Sequence, residues 1–278
     1  MRVALATSEK WPQLSPDEQS LGDELTRVGI FAEAAVWSDP DVAWSEFDLV
    51  VIRSCWDYHL RLDEFLEWLD QLEEEGVPVE NEPSVVRWNA HKSYLLDLER
   101  QGVPIPATLL LRQGSKVPHP EAAKLVVKPA VSASAYETHL VNAMQAPQLL
   151  ERLLGRGDVI VQEYVHEVAS EGEWSLVYFD RVLSHAVKKA PKSGDFRVQE
   201  EHGGSSEPGE PPAPVLLVAE KALAAVDDDL LYARVDVVER ASGSLLMELE
   251  LIEPSLFFRM DPLAAKRFAD AVRTWLTA

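Results

Sequence analysis

Cysteine is nearly absent: Cys55 stands alone among 278 residues, which excludes an intrachain disulfide and any cysteine-based zinc site. A small buried hydrophobe is its expected role, with a nucleophile as the alternative. Positive charge is also scarce, with 26 Lys and Arg against 47 Asp and Glu and a formal net charge of −21. Nucleic acid and anionic membranes both demand a basic surface, so neither is expected as a partner. No apolar run is long enough to span a bilayer. The opening segment Arg2 to Thr7 is short and soon followed by Glu9, Lys10 and Pro12, so it reads as a first strand and not as a signal peptide. A cytoplasmic location is expected, with a homodimer as one open assembly. The chain is 46% hydrophobic, enough for substantial cores in two or three lobes.

What is present begins with LYARVDVVERASGSLLMELELIEP, residues 231 to 254. It reads as a hairpin turning at Ala241-Ser242-Gly243-Ser244. Alternation puts Glu248 and Glu250 on one face, and Arg234, Asp236 and Val238 on one face of the preceding strand. Carboxylates held close repel and are costly to desolvate, so a compensating hard cation, most naturally Mg²⁺, explains Asp236, Glu248 and Glu250 together. A solvated polar face on an amphipathic hairpin is the bland alternative.

The N-terminal third alternates strands and helices. Strands are expected at Arg2 to Thr7, about Ile30 to Val36, and Asp48 to Arg53, the last apolar enough for a buried parallel sheet. Leu62, Phe65, Leu66, Leu69 and Leu72 then recur at helical spacing. The pattern implies a small α/β domain over residues 1–87. Directly after the third strand comes Arg53-Ser54-Cys55-Trp56-Asp57-Tyr58-His59, where ligands of open α/β sheets bind. Arg53, Trp56 and Asp57 are therefore candidates for substrate recognition, Arg53 by pairing a carboxylate. The alternative is a strand end capped by a packed Trp. Trp88 and Asn89 are further candidates for the same pocket. The stretch GGSSEPGEPPAP, residues 203 to 214, cannot bury apolar surface by composition and is expected to be a mobile loop, either a lid or a passive connection.

The hairpin resembles the ATP-grasp superfamily, in its glutathione-synthetase-like and ribosomal-protein glutamate-ligase branch. There an Asp on one strand and a Glu-x-Asn on the next hold Mg²⁺ against ATP, with a Pro soon after; Asp236, Glu248, Glu250 and Pro254 match in order, with Glu250 where Asn is usual. Other segments follow the family order over residues 88 to 278. Lys128 ends the apolar strand LVVKP and is expected at the nucleotide phosphates, as is Lys92 in WNAHK. The next loop, AVSASA, lacks the family's glycines, and Ser132 and Ser134 would add donors. Gln162, Glu163, Tyr164 and Val165 resemble the adenine-binding hinge, and Glu173 the acidic residue near the ribose. Lys188 and Arg197 are expected to face the triphosphate as catalytic cations; Lys188 and Lys189 point to opposite faces of a strand, so only one can enter a site, and Lys188 is the one expected. The SCWDY, WNAHK and MELELIEPS runs are similar to the short ATP-grasp enzymes that close the cycloserine ring. Ser255 in the last run is thereby expected on the substrate side.

The resemblance implies an ATP-grasp fold of two lobes, 88–165 and 166–278, after the N-terminal α/β domain. It implies ATP and Mg²⁺ as cofactors and an amino-acid-like small molecule as substrate, in specialised metabolism. The expected reaction activates a carboxylate as an acyl phosphate and joins it to an amine. Intramolecular ring closure of an amino-acid derivative, a non-catalytic ATP-binding module and a phosphotransferase are the alternatives.

Overall fold

The computed structural model describes residues 1–118, 124–192, 194–195, 197–199 and 202–277. It opens with β1 (Arg2–Thr7), α1 (Leu21–Arg27), β2 (Phe31–Val36), β3 (Leu49–Ile52), α2 (Leu62–Glu74) and β4 (Val79–Glu80). These strands form one parallel sheet in the order β2-β1-β3-β4. All four residues of β3, Leu-Val-Val-Ile, are buried, as an apolar strand covered on both faces should be. Val3, Leu5, Leu49 and Val51 pack against Leu21 and Leu25 of α1. Ala4, Ala6, Val50 and Ile52 face the other way, onto Phe65, Trp68, Leu69 and Leu72 of α2. The helical spacing of the latter is what lets one side of α2 bury while its acidic residues stay in water.

α3 (Pro83–Ala90) and α4 (Tyr94–Arg100) lead into a second sheet, built from β5 (Thr108–Leu111), β6 (Leu125–Pro129), β7 (His139–Val141), α5 (Ala146–Leu154) and β8 (Val159–Glu163). Its strands pair antiparallel in the order β5-β8-β6-β7, with α5 on one face. Residue 87, the expected domain boundary, falls inside α3.

The third sheet follows α6 (Glu167–Ser170) and contains β9 (Glu173–Phe179), β10 (Val182–Ala190), β11 (Ser205–Pro208), α7 (Ala213–Ala224), β12 (Tyr232–Val238) and β13 (Leu245–Glu250). The order is β11-β10-β9-β12-β13, antiparallel throughout. The last helix, α8 (Ala264–Thr277), returns to the parallel sheet, where Phe268 and Val272 join the core around Val3, Leu5, Phe179 and Tyr232. The first and last segments of the chain are thus packed in one core.

The stretch 203–214, expected to be a mobile loop, is in part regular structure instead. Ser205 to Pro208 form the edge strand β11, in register with Val187 to Ala190, and Pro212 immediately precedes α7. Proline is tolerated on an edge strand and at a helix start, so this composition fits both places. Gly204 serves close packing: a Cβ there would lie 2.2 Å from the Val198 carbonyl oxygen. Among the described residues no helix is long and apolar enough to cross a membrane.

Candidate active site

The second and third sheets face each other across a cleft of about 900 Å³, which continues to the carboxyl ends of the parallel strands. The hairpin of β12 and β13 forms its floor. Asp236 lies directly opposite Glu248, and Arg234 opposite Glu250, on adjacent strands. A bulge at Met247 follows the Asp236–Glu248 pair, since Val237 is matched with Leu246.

Every carboxylate on this floor is already paired. Glu248 accepts from Lys128 Nζ at 2.8 Å and Lys92 Nζ at 3.1 Å. Asp236 accepts from Lys189 Nζ at 3.0 Å, from Arg234 at 3.1 Å and from the Ser175 hydroxyl at 2.6 Å. Lys189 also pairs with Glu173 at 2.5 Å, and Arg234 with Glu250. Four carboxylates therefore face four cations. Burial works against ionisation of Glu248, yet Lys128 and Lys92 hold its carboxyl well below the usual range. Asp236 is held low against burial by Arg234 and Lys189. Burial lowers Lys128, whereas Lys92 and Lys189 are raised by their carboxylate neighbours despite it. Glu250 is pushed up to about 7, first by burial and then by Asp236 and Glu248, with Arg234 opposing.

This arrangement corrects the expectation for the strand β10. Lys189, not Lys188, enters the cleft; Lys188 turns outward and lays its Nζ 5.2 Å from the centre of the Trp174 ring. Alternation showed that one lysine had to point in, but the phase is fixed by pairing, which puts Lys189 opposite Glu173. Arg53 is also corrected. Its guanidinium is fully buried, bonded to Glu18 at 2.9 Å and to the Pro254 carbonyl at 2.6 Å, and stacked 4.9 Å over Tyr232. It ties the parallel sheet to the segment after β13 and presents nothing to a substrate. Asp57 lies outside the cleft wall and accepts the Trp37 indole N–H at 3.0 Å.

The remaining expected residues do gather. Ser132, Ser134, Gln162, Glu163, Tyr164, Val165 and Arg197 line the cleft, as do Trp56 and Ser255 at its other end. Asn89 lines it too and clamps the backbone of β13, donating to Leu249 O and accepting from Leu251 N, both at 2.9 Å, while Trp88 bonds Asp97 instead. The glycine-free loop reaches its turn with left-handed backbone at Ser134 and Ala135 (φ 49° and 54°), a conformation that costs free energy in residues other than glycine and concentrates at functional sites. Arg197 is bonded to Asp195 at 2.8 Å; Phe196 between them lies outside the described residues. Arg234 is the residue that sequence reasoning passed over, although it shares its strand face with Asp236.

Among the described residues, no three acidic, histidine or cysteine side chains form a ready-made metal cage. Asp236, Glu248 and Glu250 nonetheless offer only oxygen donors on one face of the hairpin, the chemistry that Mg²⁺ takes. Next to them the slot of Val126, Gln162, Tyr164, Val165, Met247 and Leu249 combines apolar surface with hinge backbone, as a flat heterocycle requires. The residues fit a nucleotide and its cation once the lysines exchange carboxylate for phosphate.

Comparison with known proteins agrees with this geometry. The family described as D-cycloserine synthetase DcsG, N-terminal domain, matches residues 3–81. The cycloserine biosynthesis protein DcsG of Streptomyces lavendulae is 34% identical over 296 residues, which cover 97% of each chain. The crystal structure of D-cycloserine synthetase DcsG superposes with a TM-score of 0.90 at 32% identity, covering 99% of this chain and 100% of that one. A RimK domain ATP-grasp protein from Sphaerobacter thermophilus shares the fold, with a TM-score of 0.73 at 18% identity over 98% and 100% of the two chains. A relative this similar over nearly the whole length settles the family: the chain belongs to the ATP-grasp ligases, in the family of DcsG.

Proposed function

We propose that this protein uses ATP and Mg²⁺ to activate the carboxylate of an amino-acid-like substrate and then closes an acyl–nitrogen bond. The supporting observation is the neutral lattice of Lys92, Lys128, Lys189 and Arg234 against Glu173, Asp236, Glu248 and Glu250 on the cleft floor. Such a lattice keeps the cations in place without bound polyanion and releases them to phosphate oxygens when the nucleotide arrives. Mg²⁺, held by Asp236, Glu248 and Glu250, would supply a Lewis acid that offsets charge on the phosphates. Lys128 and Lys92 would bind the phosphates from the first lobe and Lys189 from the second, while Ser132 and Ser134 add hydroxyl donors from the loop. Arg197, at the rim, would contribute its charge to the same phosphates.

The chemistry then balances without a side-chain nucleophile. A substrate carboxylate oxygen attacks the γ-phosphorus, the bond to the β-phosphate oxygen breaks, and ADP leaves. The nitrogen attacks the acyl carbon, loses its proton, and phosphate departs with one former carboxylate oxygen. Arg234, which donates to the Ser255 carbonyl, would offset charge on the acyl group. Two forms of the reaction share this path. Ring closure, in which the nitrogen belongs to the activated molecule, is favoured by the 34% identity to a cycloserine biosynthesis protein along the whole chain. Joining to a separate amine is the second form, carried by the same floor. A screen of amino acids and their ureido and dipeptide derivatives for ADP release, with mass spectrometry of products, tests the reading. Stoichiometric ADP, phosphate and an acyl–nitrogen product are expected; ADP release that leaves a stable phosphorylated substrate contradicts it.

A further inference from the structure

One buried carboxylate of the cleft stands outside the lattice. Glu253 follows β13 by three residues, lines the cleft and is 8% exposed. Glu173, Asp236, Glu248 and Glu250 each hold a cation, and Asp17 accepts from the backbone of Phe258 and Arg259. Among the described residues no side chain donates to Glu253 and no cation forms an ion pair with it; its own main-chain N–H, and the more distant charges of Lys92 and Arg234, are what favour its ionised form. A carboxylate withdrawn from water without a cation is costly, and such groups persist where a ligand completes them. Burial, followed by Glu250, pushes its carboxyl up to about 8, with Lys92 and Arg234 opposing.

The surroundings say what kind of cation would fit. The Trp56 indole N–H donates to the Glu253 main-chain carbonyl at 2.8 Å, fixing that ring beside the Glu253 backbone. Trp11 meets Trp56 edge-on, with ring centres 6.2 Å apart, and both line the cleft. One carboxylate with indole rings, rather than further oxygen ligands, beside it suits an organic ammonium better than a hydrated metal ion, which needs several oxygen ligands. The site lies at the end of the cleft toward Ser255 and the parallel sheet, away from the slot of Gln162 to Val165.

We propose that Glu253, walled by Trp11 and Trp56, takes the ammonium group of the substrate and so selects an amino acid over a plain carboxylic acid. The proposal rests on the ligase reading above and names the substrate class of that same cleft. It also sets polarity: the ammonium sits at Glu253 and the carboxylate points back toward Arg234 and the lysines.

Calorimetric titration of the full chain, with ADP and Mg²⁺ present, tests it with two probes: cycloserine, and the same ring lacking the amine. The wild-type chain is expected to favour the amine-bearing ring by about tenfold or more. Glu253→Gln should bring the two affinities together and leave ADP binding unchanged. A Gln variant that keeps the preference overturns the proposal, as does a wild-type chain with no preference. If the Gln variant fails to fold, Glu253→Asp is read instead. It retains the charge one methylene short, and weaker binding of the amine-bearing ring alone is expected; equal weakening of both rings overturns the assignment. Trapping of an activated carboxylate by hydroxylamine, run in parallel, reports on the ligase reading alone, so its failure and that of the ammonium subsite are distinguishable.

Discussion

Replacing Lys189 by Met should be among the most damaging changes on the cleft floor, and replacing Lys188 nearly silent. Lys189 is buried between Glu173 at 2.5 Å and Asp236 at 3.0 Å. Asp236 would keep Arg234 and Ser175, but among the described residues Glu173 has no other ion pair. Removing one partner of a buried pair leaves an uncompensated charge and costs about 3–5 kcal/mol. Lys188 loses only a contact over Trp174 at 5.2 Å, about 0.5–1 kcal/mol at a half-exposed site. Burial already raises Glu173, and loss of Lys189 raises it further. The cost of Lys189→Met should therefore be greatest at high pH and shrink as pH falls and Glu173 takes up a proton. Urea unfolding followed by circular dichroism measures both variants, and adding Glu173→Gln to Lys189→Met should recover more than half of the loss. Equal costs for the two lysines, or no recovery in the double variant, would refute the placement of Lys189 in the lattice.

Arg53→Met should destabilise by about 3–5 kcal/mol, because Glu18 is left buried without its cation, while the folded fraction binds ATP and substrate with unchanged affinity. Denaturant titration and calorimetry separate the two effects; loss of substrate affinity at full stability would restore Arg53 to the substrate site. Glu80, on β4, is raised to about 8, first by burial and then by Glu82 and Asp229. Since the folded value lies above the unfolded one, its stabilising share is complete below the unfolded pKa and is lost as pH rises through the folded one. Glu80→Gln should thus raise the melting temperature at about pH 9 and change little at about pH 4; equal shifts at both would contradict this.

Period and order carried the sequence reading a long way. Alternation alone put Glu248 and Glu250 on one face, and cross-strand register then brought Asp236 opposite Glu248. The apolar run Leu49–Ile52 and the spacing of Phe65, Leu69 and Leu72 foretold a covered parallel sheet with a helix on it. Tertiary partners were not legible. Arg53 reads as a partner for a substrate carboxylate until Glu18 and Pro254, the latter 201 residues away, are known to enclose it. Lys188 and Lys189 differ only in phase, which depends on the partner strand. The composition of 203–214 suggested mobility because it cannot bury apolar surface, whereas Gly204 answers a backbone contact and Pro208 an edge position. Glu253 gave no signal as a residue type; its meaning lies in the absence of an ion pair to it among the described residues.

The central claim is that the cleft passes the γ-phosphoryl group of ATP to a substrate carboxylate. The most direct test labels both oxygens of that carboxylate with heavy oxygen and follows one turnover by mass spectrometry. One labelled oxygen should leave with inorganic phosphate for each acyl–nitrogen bond formed, and Glu248→Gln should abolish turnover with the fold intact. Product formed while the released phosphate stays unlabelled would contradict carboxylate activation.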